Sequence, residues 1–198
     1  MKFRYRTSAM IEFSTLIANQ AQIIVGNIRD FHFLSSKDRQ ILLRTTSTFA
    51  SSLIIVLILR QSQLFSYPSF YESCQMIFGS TASSLTKSII EQLDPDTIFI
   101  KILVTIITFS TINLTKYLGK RGEHLGHMKS LLAIQDMYVD LAWRYLTTKY
   151  GEIEAVKRFS QVVQCLLMIT DARLEAENSE SFKTVMNHVH RLSKRRLN

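Results

Sequence analysis

The sequence predicts an all-α protein, and three observations carry that expectation. Glycine and proline are scarce, six and two in 198 residues, so little in the chain interrupts long helices. Apolar residues recur at three- and four-residue intervals rather than alternating along the chain. Composition supplies the third: 46% of the residues are hydrophobic and 20% charged, enough apolar mass for a core and too much for a disordered chain. No internal repeat or low-complexity linker divides the chain, so residues 1–198 are expected to form a single domain.

The elements follow in order. A first helix is predicted from about Met10 to Arg29, with Ile17, Ala21, Ile24 and Ile28 spaced for one face. Ser35 and Ser36 ahead of Asp38 mark a polar helix start before Ile41, Leu42 and Leu43. From Phe49 to Leu59 the run Leu53 to Leu59 leaves no polar side, which predicts a buried central helix. Ser62 to Ser84 holds Pro68 and Gly79 among Ser, Tyr and Phe and reads as a loop with a short hairpin or turn. Asp94-Pro95-Asp96 is a helix start, with Asp as cap and Pro suited to the first helical position. That helix is expected to reach Tyr117 and stop at Gly119, and another to run from His124 to Tyr150, closed by Gly151. A last stretch covers Glu152 to Met168 and extends toward His190, for six to eight helices and almost no strand.

Charge and special residues narrow the function classes. The formal net charge is +8, with Lys194, Arg195 and Arg196 at the C-terminus and Lys120-Arg121 in a Gly-flanked turn. Such clusters read as solvated surface, and they also suit nucleic acid, anionic lipid or an import receptor. Cys74 and Cys165 are far apart and lack zinc-ligand spacing, which points to a reduced compartment. The basic start lacks the apolar core and cleavage site of a secretory signal. Ile98 to Leu114 is seventeen residues broken by Lys101 and Asn113, short of the roughly 20 a membrane span needs, so a core helix is expected. His124 and His127, and His188 and His190, lack carboxylate or cysteine company, so no metal site is expected. No nucleophile, base and carboxylate recur at a known spacing, and the sequence predicts no enzyme. Tyr138 and Trp143 are five apart, which suits core packing or a subunit contact better than a base-stacking platform.

Residues 28–44 read IRDFHFLSSKDRQILLR. The stretch resembles the signature joining helices 3 and 4 of nuclear hormone receptor ligand-binding domains, F-x-x-L-x-x-x-D-Q-x-x-L-L-K/R. Phe31, Leu34, Asp38, Leu42, Leu43 and Arg44 match it, and Arg39 replaces its glutamine. Ile134 to Tyr145 resembles the family's helix 9 pattern through Gln135, Asp136, Leu141-Ala142 and Tyr145. Arg158-Phe159 leading to Leu166 is similar to the opening of helix 10, and the resemblance covers about Met10 to Phe182.

The resemblance implies a three-layer antiparallel helical sandwich of the nuclear receptor ligand-binding type, here lacking helix 1 and helix 12. It implies a pocket for a small lipophilic ligand, faced by Phe13, Ser14 and Ile17 and by Ser47, Ser51, Ile55 and Ile58. Ile58 stands where some receptors hold a ligand carboxylate with arginine, although Arg60 is close in sequence. It implies a coregulator groove at Gln22, Gly26, Arg39, Gln40, Leu43 and Arg44, with Gly26 in place of the lysine that grips a coactivator helix. With no acidic Leu-rich helix 12 after Phe182, both ends of that grip are missing and coactivator binding is expected to be lost. A dimer face is implied at Phe159, Val162, Val163 and Leu166.

The implied function is regulation of transcription in the nucleus, with a cytoplasmic pool as an option. The implied partners are coregulator proteins or a receptor dimer partner. No cofactor is expected in the chain itself; zinc and DNA would enter only through a DNA-binding domain carried by a longer product. Two alternatives stand beside this one: a receptor-derived interaction scaffold without ligand, and a small membrane-associated helical protein.

Overall fold

Chain punctuation explains most of the helix boundaries. The computed structural model describes residues 7–110 and 126–195. Helix α1, Thr7–Gly26, buries Met10, Ile17, Ala21 and Val25. Of the face predicted from spacing, Ile17 and Ala21 are buried, whereas Ile24 is 42% exposed and Ile28 lies beyond the helix. Stepping four residues from Ala21 reaches Val25 and stepping three reaches Ile24; both obey helical periodicity, so spacing could not choose between neighbours. A 3-10 turn, Arg29–Phe33, follows and buries Phe31.

Helix α2, Ser36–Ser62, is one helix of 27 residues where the sequence suggested two segments. Neither Gly nor Pro occurs within it, so nothing breaks the ladder. Its start is a reciprocal cap, in which Ser35 Oγ accepts from the Asp38 amide at 3.0 Å and donates to Asp38 Oδ2 at 2.9 Å. In the apolar run Leu53, Ile54, Val56 and Leu59 are buried, while Ile55, Leu57 and Ile58 are half-buried.

The stretch expected to be loop or hairpin is helical. After a 3-10 turn at Leu64–Ser66 come α3, Pro68–Phe78, and α4, Ser80–Gln92. Pro68 takes the first helical position, where its missing N–H costs nothing. Phe70, Cys74 and Ile77, at helical spacing, are the buried apolar residues that hold α3, with Ser73 buried among them. Gly79 separates the two helices at φ +92°, a conformation open to glycine, and its amide bonds to the Gln75 carbonyl at 3.0 Å. Pro68 and Gly79 therefore punctuate helices rather than open a loop.

Helix α5, Thr97–Thr108, is capped by Asp96, whose carboxylate accepts from the amides of Ile98 at 3.0 Å and Phe99 at 3.3 Å. Pro95 lies outside the helix rather than at its first position; Asp94 instead accepts from the Asp96 amide at 2.8 Å and sets the turn that presents the cap. The helix ends well before Tyr117. Ser110 takes up the Ile107 carbonyl through its amide at 3.0 Å and its hydroxyl at 2.8 Å. The expected stop at Gly119 and the Lys120-Arg121 turn lie outside the described residues.

Helix α6, Met128–Tyr150, closes on Gly151 at φ +79°, as expected from the glycine. Helix α7, Glu152–Glu177, follows at once, and α8, Glu180–Arg195, begins after a break at Asn178 and Ser179. Among the described residues there is no strand, and no helix is long and apolar enough to cross a membrane.

The described residues gather into two compact units. One draws on residues 7–19, 54–93 and 160–195. Its apolar cluster includes Met10, Leu59, Phe70, Cys74, Val185 and Val189, and α3 packs against both α4 and α8. Phe13 and Phe65 meet the Phe70 ring edge-on at 6.2 and 5.8 Å. Ser179 Oγ donates to the Ile77 carbonyl at 2.8 Å, fixing the start of α8 to the end of α3. The other unit draws on residues 20–53, 94–110 and 126–159, with α5 packed on α6. There Phe99, Leu103 and Ile107 recur at four-residue steps along the buried side of α5.

Candidate functional site

The signature region organises around one buried carboxylate. Phe31, Leu34 and Leu42 are buried and Leu43 is half-buried, so the apolar members of the motif are packing residues. Asp38 is 1% exposed, yet it keeps three donors beyond its own helix ladder. These are the Ser35 hydroxyl at 2.9 Å, the Gly126 amide at 2.9 Å and His127 Nδ1 at 3.2 Å. Burial by itself would raise the Asp38 pKa; the Gly126 amide, His127 and Ser35 outweigh it and hold the carboxyl below its ordinary range. The acid is thus ionised and spoken for, an anchor between α2 and the segment that opens α6.

The implied groove residues surround this anchor in sequence. Gln22 and Gly26 near the end of α1 are half-buried, and Gln40 on α2 is exposed. Arg39 reaches Ser36 Oγ at 3.3 Å. A Cβ built on Gly26 would meet nothing within 4 Å, so a side chain could begin there without a clash. Ile23 and Ile24, not singled out from sequence as surface residues, are exposed beside Gln22 and Gly26. The Arg44 side chain lies outside the described residues.

The residues implied to face a ligand divide. Phe13 and Ile55 both pack against the apolar cluster of the first unit, and Ile17 is buried. Ser14, Ser51 and Ile58 are half-buried, and the Ser47 side chain lies outside the described residues. Arg60 donates through Nη1 to the Leu93 carbonyl, the C-cap of α4. Its guanidinium is therefore engaged in closing a helix.

The implied dimer face is split by burial. Val162 is 2% exposed and faces its own chain, together with Cys165 and Ile169. Phe159 and Leu166 are half-buried, with the Phe159 ring against Trp143 at 6.3 Å. Val163 is exposed, and so are Ile153, Val156, Leu167 and Leu174. Those five lie three, seven, four and seven residues apart, which places them on one side of α7. Of the residues read from sequence, Val163 lies on that outward side and Val162 does not, because α7 carries apolar residues on two adjacent faces.

Two polar nodes were not foreseen. Tyr138 donates to Asp30 Oδ2 at 2.6 Å, and burial with that contact pushes its hydroxyl pKa up to about 12. Asp96 Oδ2 accepts from Tyr145 at 2.8 Å, Lys149 at 2.7 Å and Tyr150 at 2.9 Å. Burial would raise the Asp96 pKa, but these donors and the Phe99 amide hold it well below the carboxylate range, and its contact raises that of Lys149. Arg158 completes the neighbourhood, bonding Asp94 at 2.7 Å with its guanidinium 3.8 Å from the Tyr150 ring centre. The spacing of Tyr145, Lys149 and Tyr150 near the end of α6 was the available signal. Cys74 and Cys165 are buried free thiols, and burial pushes Cys74 up to about 12. No group of histidine, cysteine and carboxylate side chains placed to hold a metal occurs among the described residues. No family model, curated protein or solved structure matches the chain.

Proposed function

We propose that this chain is a ligand-binding-type module of a nuclear receptor, acting in the nucleus to regulate transcription, with coactivator capture lost. The observation that carries the reading is the behaviour of the signature residues. Phe31, Leu34 and Leu42 are buried pins, and Asp38 is a buried anchor with three hydrogen-bond donors rather than a surface charge. The apolar run after Phe49 supports it as well, since Leu53, Ile54, Val56 and Leu59 are buried. Loss of the coactivator grip rests on Gly26 and on the polar Gln22 and Gln40.

Titrating the protein with a labelled Leu-x-x-Leu-Leu helix peptide tests this. Absence of micromolar binding is expected, and saturable micromolar binding would overturn the lost-coactivator reading. Mass spectrometry of molecules carried through purification tests the ligand side, where a lipophilic small molecule is expected. Arg60 closes α4, which favours a neutral lipophile over a fatty acid.

A scaffold that binds no ligand is the second reading. It is favoured by one observation: Phe13 and Ile55, two of the residues implied to face a cavity, pack against a cluster of the chain's own side chains. An empty mass spectrum from soluble, folded protein would support it.

A further inference from the structure

We propose that α8 carries a contact surface for the phosphate backbone of duplex nucleic acid, bound without regard to base sequence. Concentration of charge is the first observation. From Ser181 to Asn198 the chain has Lys183, Arg191, Lys194, Arg195 and Arg196 and neither aspartate nor glutamate, so these 18 residues supply five of the net eight positive charges. The contact does not rest on the receptor reading above.

The second observation is which side of α8 the fold already uses. Val185 and Val189 are buried in the apolar cluster of the first unit, and α8 packs on α3. Ser181, Lys183, Thr184, Asn187 and His188 are exposed. Arg191 and Lys194 follow Asn187 by four and seven residues, and Arg195 follows His188 by seven, so all three take the helical register of the exposed side. Lys183 bonds Glu180 at 2.5 Å, and the contact is assigned to the cations beyond it.

Two other uses of a basic helix fit less well. A helix that lies in a lipid surface sinks its apolar face into the acyl boundary, whereas here that face is committed to the protein's own core. Cations near a helix C-terminus also answer the helix dipole, but that is about half a negative charge, and Arg191, Lys194 and Arg195 bring three positive ones. A duplex carries about one negative charge per 1.7 Å of its axis, so such a cluster meets several phosphates at once and releases their counterions.

The test is fluorescence anisotropy of a labelled DNA duplex of arbitrary sequence, titrated with the full chain in about 50 and about 200 mM salt. Binding is expected at the lower salt and is expected to weaken about 40- to 150-fold at the higher, the loss that three to four phosphate contacts give. Replacing Arg191, Lys194 and Arg195 together by glutamine is expected to remove most of the binding and to cut the salt effect to about fourfold. The comparison protein is Lys37→Gln, Lys101→Gln, Lys129→Gln, which removes the same charge from exposed positions on α2, α5 and α6 and is expected to bind like the natural chain. Equal weakening by the two triple variants overturns the proposal, since net charge rather than α8 would then be at work. Absence of duplex binding at the lower salt overturns it too, as does binding to phosphatidylserine vesicles as tight as binding to the duplex. Melting of each variant checks its fold. Should the α8 variant not fold, Lys194→Gln decides alone: the slope of log K against log salt is expected to fall by about 0.9, and an unchanged slope overturns the proposal.

Discussion

Tyr138 and Asp30 meet at 2.6 Å across 108 residues of chain, with the Tyr138 ring lying parallel to that of Phe109 at 6.2 Å. One residue thus ties α6 to the turn after α1 through its hydroxyl and to the end of α5 through its face. Tyr138→Phe keeps the stacking and removes the bond, so it is expected to cost about 1 kcal/mol, whereas Phe109→Ala, at a fully buried position, is expected to cost about 3 to 5 kcal/mol. Urea denaturation of both variants measures the contrast.

Asp96 is a helix cap and the acceptor for three side chains of α6. Asp96→Ala removes the cap and takes the acceptor from the hydroxyls of the half-buried Tyr145 and Tyr150, for an expected loss of about 2 kcal/mol or more. Asp96→Asn keeps a capping oxygen and is expected to lose less. Denaturant midpoints order the three proteins.

Arg158 pairs with Asp94, whose side chain is 1% exposed, and stacks on Tyr150. Arg158→Lys keeps the charge but loses the planar stack and the second bond to Glu154, with an expected cost of about 1 kcal/mol. Arg158→Ala leaves a buried carboxylate unpaired and is expected to cost about 3 kcal/mol or more. Calorimetric melting of both variants is the check.

Acid should weaken the fold through Asp38 and Asp96. Both have folded pKa values below the unfolded value of about 3.9. Their contribution is complete above that pH and is lost as pH falls through the folded values. Urea midpoints are expected to drop between pH about 4.5 and about 2.5, and the drop is expected to be smaller in Asp96→Asn, which has no charge left to lose.

If α7 carries a subunit contact, Leu167 is the residue to change, since it is 62% exposed and packs little against its own chain. Leu167→Glu is expected to leave melting unchanged and to abolish self-association in sedimentation velocity. Val162→Glu, by contrast, is expected to unfold the chain, because its side chain is buried.

Local signals in the sequence were read well. Ser35 and Asp38 announced the start of α2, and Gly151 the end of α6, because caps are written within a few residues of the boundary they make. Helical character was legible wherever apolar spacing was long. It was misread at Ser62 to Ser84, where Pro68 and Gly79 drew attention from the helical spacing of Phe70, Cys74 and Ile77. The partners of Asp96 and Asp30 were not read, since Tyr145 and Tyr138 sit 49 and 108 residues away; the spacing of Tyr145, Lys149 and Tyr150 shows a polar cluster near the end of α6 but does not name the carboxylate it meets. On α7 the sequence showed an apolar stripe, but which of two adjacent faces turns outward depends on what packs beneath it.

The crowd around Asp96 has one more consequence. Five donors converge on a carboxylate that offers about four lone-pair directions, and Lys149 also touches the Tyr145 oxygen at 2.9 Å. Such a hub is oversubscribed, so no single spoke among Tyr145, Lys149 and Tyr150 carries it alone. Loss of one spoke therefore leaves the carboxylate with two side-chain donors and its two capping amides, whereas loss of the hub releases all five at once.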